Sequence, residues 1–106
     1  MITLKEFIYV LKLIDRLRTQ NNWTVDDEKI VENHFNYLKQ LQKDQKLILA
    51  GKTDGLDDHT FGIVIFEAAS YEEALNIMNY DPSIVCGIMQ GQLFPYSVAL
   101  IRDNHK

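Results

Sequence analysis

The feature that most constrains the fold of this 106-residue chain is a pair of helix-like segments. Each begins with a capping signal and lies between two strand-like segments. The first begins at Thr24, which can cap a helix, and the acidic run Asp26-Asp27-Glu28 suits the positive end of the helix dipole. The second begins at the capping box Ser70-Tyr71-Glu72-Glu73, and Asp81-Pro82 ends it because proline disfavours a helical residue before it. The length allows one modest hydrophobic core and not two, so we expect a single domain over residues 1–106.

Four strand-like segments accompany these helices. In chain order they are Phe7 to Ile14, Leu47 to Gly51, Phe61 to Glu67 and Ile88 to Leu93. The first is rich in β-branched and aromatic residues, which favours a strand, although its apolar residues also fit one face of a helix. Pro95 is expected to interrupt the last strand, and residues 97–101 could extend it as an edge.

The order strand, helix, strand, strand, helix, strand indicates an α+β fold. It matches the ferredoxin-like βαββαβ arrangement, in which both helices cover one face of an antiparallel sheet. A single layer of helices leaves the apolar residues of the far sheet face in water. We therefore expect a homodimer that packs two such sheets together.

Charge and cysteine content limit the classes of partner. The chain has 11 basic and 15 acidic residues, a formal charge of −4, and no stripe of Lys and Arg, so nucleic acid is not an expected partner. No apolar run approaches the roughly 20 residues of a membrane span, and the charged start of the chain does not resemble a signal peptide. The one cysteine, Cys86, has no intrachain partner, so we interpret it as a small buried hydrophobe and expect a cytoplasmic location.

His34 is the main candidate for chemistry. It belongs to a set of first-helix residues that share one face at spacings of three and four: Ile30, Val31, His34, Phe35, Leu38 and Leu41. A histidine in such an apolar stripe must satisfy two ring nitrogens. A carboxylate beside it can fix its tautomer and prepare it to act as a general acid or base. The alternative is a core histidine that is hydrogen-bonded for structural reasons.

Other candidates are weaker. Asp57-Asp58-His59 contains ligand types, but adjacent loop residues rarely converge on a metal without further partners, so a polar turn is the preferred interpretation. No motif for a cofactor is present, and we expect neither a cofactor nor a bound metal. Trp23, Tyr37 and Tyr96 could line a pocket for an aromatic compound, with core or dimer packing as the alternative for each.

Several of these segments, taken in order, resemble the YCII-related (YciI-like) family. They are Tyr9-Val10 with Asp15, His34-Phe35-Asn36-Tyr37-Leu38, Leu47-Ile48-Leu49-Ala50-Gly51, Phe66 to Ala74, Asp81-Pro82 and Pro95. The resemblance also favours a strand for the first segment. Two departures stand out: Gly51-Lys52 where the family often has Gly-Pro, and Ser83 where it tends to have a bulky aromatic residue.

The resemblance implies a ferredoxin-like dimeric α+β barrel and an active site built on a His–Asp pair. At least one similar protein acts as a dehydrochlorinase on a chlorinated hydroxyquinol. His34 matches the family histidine, while Asp81 and Asp15 both lie at family-like positions for the carboxylate. From the residues alone, Asp81 could instead cap a short helix and Asp15 could be a solvated loop residue.

Two hypotheses follow. In the first, the chain is a cofactor-free lyase or isomerase in which His34, oriented by Asp81 or Asp15, abstracts a proton from a small phenolic or carbonyl-bearing substrate between sheet and helices. In the second, it is a non-catalytic dimeric domain that binds a small ligand, and His34 is a ligand contact or a structural residue.

Overall fold

A computed structural model describes residues 3–103, so the ends of the expected domain, residues 1–2 and 104–106, lie outside the described part. The described residues form four strands, three helices and two 3₁₀ turns. In chain order they are β1 (Lys5–Leu13), the 3₁₀ turns Asp15–Arg18 and Gln20–Asn22, α1 (Val25–Lys43), β2 (Leu47–Lys52), β3 (Gly62–Ala68), α2 (Tyr71–Asn79), the one-turn helix α3 (Pro82–Val85) and β4 (Met89–Tyr96).

The strands form one antiparallel sheet in the order β2-β3-β1-β4. Strands β3 and β1 are therefore central, β2 and β4 are the edges, and each long helix connects a central strand to an edge strand that is not its neighbour. This order confirms the predicted α+β class and its ferredoxin-like arrangement, and it confirms a strand rather than a helix for the first segment.

The core lies between the helices and one face of the sheet. Successive strand residues point to opposite faces, so Phe7, Tyr9 and Leu11 of β1 face the helices and are almost fully buried. Their cross-strand neighbours on β3, which include Phe66, lie on the same face. The helices cover this layer with a set of buried side chains: Leu38, Leu41, Ala74, Ile77 and Met78.

The start of α1 is held by two sets of polar contacts. Thr24 and Asp27 form a reciprocal capping box, as the sequence predicts for Thr24. The guanidinium of Arg16 donates to both oxygens of Asp27 at 2.8 and 2.9 Å. The hydrogen bonds from Arg16 hold the pKa of Asp27 well below its usual range. These contacts fix the first turn of the helix that carries His34 against the chain that leaves β1.

The prediction that Pro95 interrupts the last strand is wrong. Strand β4 runs through Pro95, which is paired with Phe7, and ends at Tyr96, while residues 97–101 form no strand. Among residues 3–103, strand β4 has a neighbour on one side only, so a residue without an N–H group is tolerated there.

The predictions that Phe35 lies on the core-facing stripe of α1 and that Cys86 is buried are both wrong, because both residues are exposed. The Phe35 side chain is 60% exposed because the residue lies one position around the helix from His34, at the edge of the buried stripe. Cys86 is exposed because it caps the C-terminus of α3, which lies at the surface. Within residues 3–103 no helix is both long and apolar enough to cross a bilayer. The cytoplasmic location stays a prediction.

Candidate active site

His34 and Asp81 lie in direct contact, although 47 residues separate them in the chain. The Nδ1 atom of His34 lies 2.7 Å from Oδ1 and 2.9 Å from Oδ2 of Asp81. A carboxylate only accepts hydrogen bonds, so Nδ1 carries the proton and donates it to Asp81. The other ring nitrogen, Nε2, is then the one with a free lone pair in the neutral ring.

Asp81 is completely buried and accepts hydrogen bonds from two further residues. The Tyr9 hydroxyl donates to Oδ2 at 2.7 Å. The Ser83 backbone N–H and hydroxyl both donate to Oδ1, at 3.0 and 2.8 Å. The bond from the Ser83 N–H makes Asp81 the N-cap of α3, so the capping role and the contact with His34 occur in the same side chain.

The pKa of Asp81 reflects opposing effects. Burial alone would raise it, but the hydrogen bond and charge of His34, followed by the bonds from Ser83 and Tyr9, outweigh burial and keep the pKa of Asp81 below its usual range. Asp81 therefore stays a carboxylate at neutral pH. Burial and the adjacent charge of Asp81 also raise the pKa of Tyr9 far above its usual value, so its hydroxyl stays a donor.

A cavity of about 340 Å³ lies beside His34, between α1 and the sheet. Its walls are mostly apolar and include Leu11, Trp23, Leu38, Phe61 and Met89. Among the described residues, every buried side-chain nitrogen or oxygen has a hydrogen-bond partner. Nε2 of His34 has no hydrogen-bond partner in the described part of the chain, so it is not sealed in the core and remains open to a bound molecule.

The cavity exists partly because of Gly62, at the start of β3. Gly62 pairs with Leu11 on one side and with Lys52 on the other, so a side chain at position 62 would point toward the helices. A Cβ atom built there meets only the Gly51 carbonyl oxygen at 3.4 Å and Lys52 Cβ at 3.7 Å. The space above Gly62 is therefore open, and a larger residue would fill it.

Of the two predicted carboxylates, the structure brings only Asp81 to His34. The Asp15 side chain is 93% exposed and pairs with Arg18 at 2.7 Å in the turn after β1. Tyr9 and Ser83 complete the surroundings of Asp81, and sequence reasoning assigned neither of them to the site. Ser83 had a local signal, because a residue two positions after a capping Asp can donate to it. Tyr9 had its place on a buried strand and its part in the family resemblance, and neither assigned it a role in the site.

The other sequence candidates lie outside this group. Asp57 accepts hydrogen bonds from the backbone of His59 and the hydroxyl of Thr60, which is a polar turn. Across residues 3–103 no group of three or more His, Cys, Asp or Glu side chains is arranged to hold a metal ion. Of the three aromatic candidates, Trp23 lines the cavity, whereas the Tyr37 hydroxyl donates to the backbone of Ile77 and Tyr96 ends β4.

The fold and the site together define a ferredoxin-like α+β domain with a histidine–carboxylate pair at the wall of an apolar cavity. The sequence profile of the YCII-related domain matches residues 13–93. The chain belongs to this family.

A solved structure of the same fold is similar over most of both chains. It is 5-chloro-2-hydroxyhydroquinone dehydrochlorinase from Burkholderia phenoliruptrix, in complex with 2,5-dihydroxybenzoquinone. The likeness covers 87% of this chain and 93% of that one, with a TM-score of 0.60 and 22% sequence identity. At this identity the likeness shows a shared fold. No curated protein matches the chain.

Proposed function

We propose that this protein is a cofactor-free enzyme of the lyase or isomerase type, in which His34 removes a proton from a small ring compound. One observation carries the proposal: Nδ1 of His34 is tied to the buried carboxylate of Asp81, while Nε2 is left free at an apolar cavity. A buried carboxylate of this kind holds the ring in one tautomer and stabilises the imidazolium that forms when Nε2 accepts a proton.

The proposed step begins with transfer of a proton from the substrate to Nε2 of His34. The electron pair of the broken bond stays on the ring and is delocalised onto an oxygen substituent. In an isomerase the imidazolium returns its proton to another carbon of the ring. In a lyase the electron pair instead expels a leaving group, such as a halide, as an anion, and His34 then gives its proton to water.

The substrate class follows from the cavity. A volume of about 340 Å³ is at the lower end of the roughly 300–1,000 Å³ typical of small-molecule sites, which fits one ring with small substituents. Apolar walls that include Trp23 and Phe61 favour a flat, aromatic or quinone-like ring. The similar dehydrochlorinase is named for a chlorinated hydroquinone, which supports the same class of ring.

The test is a panel of chlorinated hydroquinones, hydroxyquinones and unsaturated lactones incubated with the protein in deuterated water. Proton NMR follows deuterium uptake, isomerisation or loss of the leaving group. We expect at least one compound to change in a protein-dependent reaction that Asp15→Ala preserves and His34→Gln slows strongly, because His34 lines the cavity and Asp15 does not. A reaction that His34→Gln does not slow would contradict the proposal. Binding without any reaction would support the non-catalytic ligand-binding domain instead.

We also propose that the protein forms a homodimer through the far face of the sheet. That face carries Ile8, Val10 and Ile63, together with Leu49 and Phe94, which are 47% and 46% exposed. A second copy would present the same face, and two such faces can bury each other around a two-fold axis.

Sedimentation velocity tests the dimer. We expect the wild type to sediment with twice the mass of one chain and Phe94→Glu to sediment as a monomer, because the new charge would be buried at the interface. Leu100→Glu is the matched control, since Leu100 is 95% exposed and lies outside the strands. A monomeric wild type, or a Phe94→Glu variant that remains dimeric, would rule out this interface.

A further inference from the structure

Lys52 is the only residue with a formally charged side chain among the described residues that line the cavity. It is the last residue of β2 and lies opposite Gly62, which in turn lies opposite Leu11. Directly opposed residues of a sheet project from the same face, and Leu11 is buried beneath the helices. Lys52 therefore projects from the helix-covered face, at the same cavity as His34.

The ammonium group of Lys52 has unused hydrogen-bonding capacity. It donates one hydrogen bond, to the Thr53 carbonyl oxygen at 2.7 Å, and an ammonium carries three donors. Within residues 3–103, Lys52 forms no ion pair. A lysine that is neither paired nor needed by the core, placed at the rim of an otherwise apolar cavity, is suited to bind an anionic group of a ligand.

We propose that the cavity selects ring compounds that carry an anionic oxygen, and that Lys52 is the residue that recognises this charge. The inference deepens the proposed function, on which it rests for the use of this cavity as the substrate site. Gly62 leaves the floor between Leu11 and Lys52 without a side chain, so a flat ring can lie across β3 with its anionic substituent at Lys52. The apolar walls bind the ring, and Lys52 distinguishes a charged ring from a neutral ring of the same shape.

Isothermal titration calorimetry with two matched probes tests this. The probes are 2,5-dihydroxybenzoate and 2,5-dihydroxybenzamide, which have nearly the same size and differ in charge. We expect the benzoate to bind about tenfold more tightly than the amide, as fits one solvent-accessible charge-assisted hydrogen bond. Lys52→Gln should abolish this preference, and Lys52→Arg should retain it. The third probe is 2,5-dihydroxybenzoquinone, which has acidic ring hydroxyls. Its affinity tells whether Lys52 binds an anionic ring oxygen as tightly as a carboxylate.

Two further variants, one of them a control, locate the effect. Lys29→Gln removes the same charge from the exposed surface of α1, where Lys29 faces Glu32, and should leave the preference intact. Gly62→Val should weaken the binding of all three probes, because its side chain occupies the cavity floor.

The outcomes separate this inference from the proposed function. His34→Gln should keep the preference for the benzoate, since Lys52 is untouched. Suppose that the preference for the benzoate depends on Lys52, but no compound of the reaction panel reacts in a way that requires His34. This result would overturn the proposed function and leave the inference standing. Equal affinity for benzoate and amide, a preference that survives Lys52→Gln, or failure of all three probes to bind would overturn the inference.

Discussion

Replacing Asp81 with alanine is expected to lower the free energy of unfolding by about 3–5 kcal/mol, the range found when one partner of a buried polar or ionic network is removed. Asp81 is completely buried and accepts four hydrogen bonds, from Tyr9, His34 and Ser83. Alanine leaves these donors facing a cavity without an acceptor, and it also removes the N-cap of α3. Urea denaturation measures the loss.

Asp15→Ala is the matched control for this experiment. The Asp15 side chain is 93% exposed and forms only a surface pair with Arg18, so its removal should change stability by no more than about 0.5 kcal/mol. Equal losses for Asp81→Ala and Asp15→Ala would show that the hydrogen bonds at Asp81 contribute nothing to folding.

The pH dependence of the free energy of unfolding tests the pKa of Asp81 independently. The pKa of Asp81 is lower in the folded protein than in the unfolded chain, so its contribution to stability is complete above the unfolded value of about 3.9. That contribution is lost as the pH falls through the folded value. The difference in free energy of unfolding between the wild type and Asp81→Ala should therefore become smaller below about pH 4. A difference that becomes larger in acid would contradict the lowered pKa of Asp81.

Replacing His34 with glutamine is expected to lower the rate of the proposed proton transfer by about 10²–10⁴-fold, the usual contribution of a positioned general base. Glutamine is similar in polarity and can still donate a hydrogen bond toward Asp81, but its amide cannot accept a proton at neutral pH. The variant should therefore bind ring compounds nearly as well as the wild type and lose turnover, so kcat should fall with little change in KM.

His59→Gln serves as the control, because the His59 side chain is 91% exposed and lies in the loop between β2 and β3. Its activity should equal that of the wild type. A His34→Gln rate equal to that of the wild type would mean that another group acts as the base.

The elements of the fold were predictable because their signals are local. The Thr24 cap and the Ser70 capping box each depend on residues three positions apart, and the apolar spacing of α1 and α2 repeats within one or two turns. The predictions for Pro95 and Phe35 failed for a different reason. Whether a proline interrupts a strand, or a phenylalanine is buried, depends on which neighbours the sheet and helices supply.

The site was predictable only in part. The spacing of α1 placed His34 on the inward stripe, and its side chain is 14% exposed. For Asp81, the sequence left a helix cap and a partner of His34 as competing interpretations, and one carboxylate satisfies both descriptions because Oδ1 accepts from the Ser83 N–H and from Nδ1 of His34 together. Lys52 reaches the cavity only through the register of β2 on β3.

By itself, the sequence determined the order of strands and helices, the caps that start the helices, and a histidine on a buried helix face. Only the tertiary structure decided that Asp81 rather than Asp15 meets His34, that Tyr9 and Ser83 support the carboxylate, and that Lys52 shares the cavity. The physical reason is distance along the chain. Capping and periodicity act over three or four residues, whereas the contact between His34 and Asp81 spans 47 and forms only when α1 packs beside the turn that follows α2.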